Sequence, residues 1–112
     1  MTNDPHQADE AEVCEVIITA PDADWLADFA RRLIENHLVA AAHLFPIRSL
    51  YRWKGRLYDE NETRAALHTR RSHLPTIRDL VSSEHPYEVP GFAVLLIAAS
   101  TPYRDWVLSE TG

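Results

Sequence analysis

The order of hydrophobic patterns in this chain predicts an α+β fold: strand, helix, strand, strand, helix, strand, with one further helix at the C-terminus. Three observations carry that prediction. VCEVIITA at Val13–Ala20 and FAVLLIAA at Phe92–Ala99 are nearly all apolar and rich in β-branched residues, the pattern of strands covered on both faces. Trp25–Leu38 and Leu74–Val81 repeat their apolar residues at helical steps, which gives each one apolar face. Between these helices, Ala41–Thr69 alternates on either side of Lys54-Gly55, as a β-hairpin does. The order is that of the split βαβ, ferredoxin-like pattern, in which two helices cover one face of a four-stranded sheet.

The elements follow in chain order. Met1–Glu12 is polar and acidic and reads as a mobile tail, which leaves one domain over Val13–Gly112. Cys14, in the first strand, reads as a small buried hydrophobe. Asp22 and Asp24 suit the positive end of a helix that starts after Pro21 and ends near Asn36-His37, with His37 as a charge partner at its C-terminus.

From Ile47 to Trp53, Ile47, Ser49, Tyr51 and Trp53 face one way while Arg48, Leu50 and Arg52 face the other. Gly55 supplies the positive φ of a tight turn. Asp59–Glu62 alternates less cleanly and reads as a solvated bulge. Ser72 is the expected N-cap of the next helix, with Pro75 in its first turn, and His85-Pro86 ends it. Thr101-Pro102 is expected to cap the last helix, with Tyr103, Trp106 and Val107 on its inner face.

A strand over Ala41–Trp53 spans roughly 40 Å at about 3.3 Å per residue. A globule of this length has a radius of gyration of about 13 Å. The ribbon therefore projects, and an isolated two-stranded hairpin is only marginally stable. The second sheet face also lacks a helix. Both features point to other copies of the chain as the cover.

A hydrophobic content of 46% and a charged content of 25% are those of an ordinary globule, and the net charge of −6 argues against a nucleic-acid partner. Neither an RNP-type aromatic motif nor an apolar run of membrane-spanning length is present. The default location is cytoplasmic. A single cysteine excludes an internal disulfide.

The histidines His6, His37, His43, His68, His73 and His85 show no zinc-module spacing, and three glycines make no phosphate loop. No catalytic triad is legible, so no enzyme activity is expected. His85 lies in an irregular connection beside Tyr87 and Glu88. It reads either as a soft-metal ligand or as a ring that holds the turn together. A small-ligand cleft near Trp53, His85, Tyr87 and Glu88 is the second site expectation.

Four segments, SLYRWKGRLYDENE at Ser49–Glu62, HPYEVP at His85–Pro90, TAPD at Thr19–Asp22 and PYRDWV at Pro102–Val107, resemble the CutA divalent-cation-tolerance family in order and spacing. The resemblance covers Val13 to about Glu110. It implies a ferredoxin-like subunit in a tight homotrimer, linked to tolerance of copper and other divalent metals and not known as an enzyme. The trimer is similar in architecture to the PII signalling proteins, which implies a small-molecule sensor as an alternative. No cofactor is required, and a divalent cation such as copper is at most a weak ligand. The chain departs from the family at Ala41, where a cysteine is common, at Pro46, at His68, where a lysine is usual, and at Gly91, where a glutamate is usual. The copper ligands proposed for some members correspond here to Ile18, His85 and Gly91, of which only the histidine is a donor.

Overall fold

The computed structural model describes residues 12–112. The expected tail lies outside them except for Glu12, whose carbonyl accepts from the Arg71 N–H at 2.8 Å. The elements are β1 (Val13–Ala20), α1 (Ala23–Glu35), β2 (Ala41–Trp53), β3 (Arg56–Arg70), α2 (Leu74–Glu84), β4 (Gly91–Leu96) and α3 (Thr101–Glu110). The sheet runs β2-β3-β1-β4, with antiparallel neighbours throughout. This is the predicted ferredoxin-like order.

α1 and α2 pack on one face of this sheet. Val16 and Ile18 of β1 and Ala65 and Leu67 of β3 meet Leu26, Phe29, Leu33, Ile77 and Val81 there. Asp22 caps α1 by accepting from the N–H groups of Asp24 at 2.8 Å and Trp25 at 3.2 Å. His37 closes the helix as the left-handed residue after the C-cap, with φ 59°. Its N–H donates to Ile34 O, and Leu38 N–H donates to Leu33 O, the two bonds of a Schellman turn. The structure thus corrects the reading of His37 as a charge partner: its backbone makes the turn, and its Nδ1 meets the Glu110 carbonyl at 3.0 Å.

Three further expectations are corrected. Ser72 is not an N-cap; it lies in a 3-10 turn over Arg71–His73, and α2 starts without a side-chain cap. Ser100, one residue earlier than Thr101, caps α3, and Trp106 faces outward while Val107 is fully buried. Among the described residues neither β1 nor β4 is covered on both faces along its whole length. β4 is also shorter than Phe92–Ala99, and Leu95 on its far face is 48% exposed.

β2 is unbroken at Pro46, which pairs with Thr63. β2 is an edge strand, the place where a sheet tolerates a missing N–H. β1 ends opposite Thr63, so Ile47–Trp53 and Arg56–Glu62 pair only with each other. They form an arm of roughly 23 Å at about 3.3 Å per residue. The molecule accordingly measures 54 × 27 × 26 Å with a radius of gyration of 15.3 Å, above the value of about 13 Å for a compact chain. The arm has no bulge at Asp59–Glu62, where pairing is residue for residue.

Lys54 (φ 49°) and Gly55 (φ 77°) are both left-handed, as a two-residue type I′ turn requires. Gly55→Ala meets no neighbouring atom, so its cost is conformational alone. The expected loss is about 1 kcal/mol, read as a lowered denaturation midpoint; an unchanged midpoint would show the turn to be differently shaped.

Candidate functional site

The turn sets the register of the arm, and the register builds the site. Tyr51 faces Tyr58 and Trp53 faces Arg56, all on the sheet face that α1 and α2 leave open. The two tyrosine rings stack at 5.2 Å with planes 10° apart. The second wall comes from the connection after α2. Pro86 stops that helix, so His85 is extended (φ −66°, ψ 139°) and turns its ring into the molecule. His85 Nε2–H donates to Thr19 O at 2.8 Å, and its Nδ1 accepts from Tyr87 N–H at 3.0 Å. Its ring meets Trp25 edge to face at 5.3 Å.

Held this way, the connection lies along the arm. The Tyr87 hydroxyl donates to Glu62 Oε2 at 3.1 Å, the Tyr51 hydroxyl donates to Glu60 Oε2 at 2.9 Å, and Glu88 pairs with Lys54 at 3.2 Å. Between arm and connection lies a cleft of about 340 Å³, walled by the rings of Tyr51, Trp53, Tyr58 and Tyr87 and by Glu60 and Glu88. This volume is within the range of small-molecule sites.

Burial, then the neighbouring Glu62 carboxylate, pushes the Tyr87 phenol far above its ordinary value. Burial and the bond to Glu60 push Tyr51 the same way. Both phenols therefore remain neutral donors at physiological pH. Glu62 is only 7% exposed, and the Tyr87 hydroxyl is its hydrogen-bond donor.

Of the four residues expected at a ligand cleft, Trp53, Tyr87 and Glu88 line it. His85 does not; it stands behind the wall and positions it. Tyr51, Tyr58 and Glu60 were missed by the sequence reading, although a two-residue turn at Lys54-Gly55 fixes which residues they face.

The metal reading of His85 does not fit this geometry, because both ring nitrogens are engaged in hydrogen bonds and neither offers a free lone pair. Ile18 is in the core, and a Cβ at Gly91 would lie 2.5 Å from Thr19 Oγ1. The donor set implied by the resemblance is therefore not assembled. Among the described residues no group of three or more His, Cys, Asp or Glu side chains is placed to hold a metal ion. Cys14 is fully buried, and burial raises its thiol above the usual value, so it is a weak nucleophile. His68 lies at the other end of the sheet between Tyr103 (2.5 Å) and Glu15 (3.0 Å).

Comparison with known proteins gives a consistent result. The family described as CutA1 divalent ion tolerance protein matches residues 14–110. "Divalent-cation tolerance protein CutA" of Thermus thermophilus is 32% identical over 99 residues, covering 87% of this chain and 96% of that protein. "Protein CutA" of Homo sapiens is 34% identical over 101 residues, covering 88% of this chain; the match spans only 56% of the human protein. Among solved structures, the "periplasmic divalent cation tolerance protein CutA" of Archaeoglobus fulgidus superposes with a TM-score of 0.86 at 28% identity. That superposition covers 89% of this chain and 99% of that one.

The Tyr87 phenol gives a test of the site's electrostatics. Its value is raised on folding, so the folded state holds the proton more tightly than the unfolded state. Stability is then unaffected below the ordinary value of 10.0 and falls as pH rises past it. Denaturant titrations on both sides of that value are expected to show the fall, and Tyr87→Phe is expected to flatten it. The same variant leaves Glu62 without its donor and is expected to cost about 1–3 kcal/mol at neutral pH.

Proposed function

The chain belongs to the CutA1 divalent ion tolerance family, and on that premise we propose that it acts as a non-catalytic homotrimer in the response to divalent metal ions, copper among them. The observation that carries this reading is the unfinished sheet. Ile17, Phe45, Ala66, Ala93 and Leu95 share the face opposite the two long helices. Phe45 there is 42% exposed, and the outer edge of β2 beside it has no partner strand among the described residues. Exposed apolar surface and a free strand edge both favour association. Arg64 adds to the argument: its Nε is buried with no hydrogen-bond partner among the described residues, and its guanidinium lies 5.6 Å from the Phe45 ring. A neighbouring subunit supplies the missing acceptor and covers the ring. In this reading the projecting arm of one copy covers the open face of the next, a head-to-tail contact, and three copies close the ring.

The metal response in this reading runs through the assembly and not through a tight internal site, since His85 is already occupied by two hydrogen bonds. Copper or another divalent cation binds weakly at most. The reading places the protein in the cytoplasm, where the thiol of Cys14 stays reduced. No described helix is long and apolar enough to cross a membrane. A second reading, a small-molecule sensor similar to the PII proteins with ligand sites at subunit interfaces, is favoured by the cleft beside the arm.

Light scattering on the purified chain is expected to give three times the chain mass at micromolar concentration. A folded monomer under the same conditions overturns the assembly. Deletion of the gene is expected to lower growth in copper-supplemented medium, with restoration by the wild-type chain. Unchanged growth across copper, zinc and cobalt overturns the metal response. Periplasmic recovery on cell fractionation overturns the cytoplasmic placement.

A further inference from the structure

We infer that the cleft between the arm and the His85–Pro90 connection is a binding site for a small organic cation of the quaternary-ammonium or alkylammonium class. This rests on the ligand-site reading above and names the chemistry of that site. Four aromatic rings converge there, and the charged side chains on its walls, Glu60 and Glu88, are both acidic. Aromatic faces carry negative quadrupole density, so rings set around a cavity attract a cation, and two carboxylates add to that attraction. The phenols of Tyr51 and Tyr87 are engaged as donors to Glu60 and Glu62, and Tyr51 stacks on Tyr58, so what these residues turn to the cleft is ring surface and not a free hydroxyl.

The molecule already places cations of its own on this surface. The Lys54 ammonium sits 5.5 Å from the centre of the Trp53 ring while pairing with Glu88 at 3.2 Å. The Arg56 guanidinium lies 5.6 Å from the centre of the Tyr58 ring. Lys54 is thus an internal stand-in: an ammonium held by one ring and one carboxylate of the site. It is also well exposed, so a soluble cation with more apolar surface can displace it. A metal ion is a poorer occupant, because hard cations need six or more converging oxygens and the cleft walls offer two carboxylates. A neutral ligand of the same shape gains the apolar contact but not the attraction to the rings.

The experiment is calorimetry on the full chain with choline as the probe and 3,3-dimethyl-1-butanol as its neutral isostere. Choline is expected to bind saturably, and the isostere about fivefold more weakly or worse. Trp53→Ala and Glu60→Gln are each expected to weaken choline severalfold. Lys54→Asn removes the competing ammonium while suiting the left-handed backbone, and is expected to tighten choline binding. Equal binding of choline and isostere, no binding of either, or indifference to all three substitutions overturns the inference. Light scattering on the same samples separates it from the assembly: a trimer that ignores choline sinks the cation site alone, and a monomer that binds it sinks the trimer alone.

Discussion

A β-sheet has two faces, and the described residues supply long helices for only one of them. α1 and α2 bury Val16, Ile18, Ala65 and Leu67, while Phe45, Ala93 and Leu95 on the reverse side are exposed. Each 100 Å² of apolar surface left in water forgoes about 2.5 kcal/mol of hydrophobic stabilisation. The rest of the structure responds to that deficit. The connection after α2 folds onto the open side of the arm, and the C-terminal helix closes the end of the sheet beside Val13 and Arg70. Where these two stop, the face remains open.

The C-terminal helix shows how a short element is held on such a face. A helix of ten residues is marginal by itself. Val107 is fully buried and anchors its middle. Its last carbonyls, which have no partner within the helix, are met by three side chains from elsewhere. Arg70 donates to Leu108 O, His37 Nδ1 lies 3.0 Å from Glu110 O, and His73 Nε2 lies 2.5 Å from Thr111 O. The end of β3, the turn after α1 and the turn before α2 therefore converge on one helix end, where donors and positive charge are favoured.

Much of the fold was legible because periodicity is a strong signal over long elements. The two-residue turn at Lys54-Gly55, the alternation from Ile47 to Trp53 and the apolar stripe from Trp25 to Leu33 each had one consistent reading. The failures were local. A continuous apolar run such as Phe92–Ala99 does not reveal whether its second face is covered by the same chain. Caps at Ser72 and Thr101 were misplaced because the choice depends on backbone angles that neighbouring hydroxyls do not encode. Trp53, Tyr87 and Glu88 could be nominated for the cleft from residue type and position. Tyr58 and Glu60 belong to it through cross-strand pairing, so they were legible only by carrying the register of the Lys54-Gly55 turn along the arm. His85 was open to two readings in the sequence, because its bonds to the Thr19 carbonyl and the Tyr87 N–H are made with backbone groups that residue type does not announce.

The uninterrupted pairing along the arm ties its two sides together. Side chains alternate strictly between faces, so a one-residue slip exchanges every member of one side for a member of the other. Losing one residue between Ile47 and Tyr51 would turn Leu50 and Arg52 toward the His85–Pro90 connection and send Trp53 to the back. Substitutions change this surface one position at a time, whereas a single-codon deletion would replace it wholesale. The spacing of the arm is therefore under tighter constraint than the identity of most residues in it.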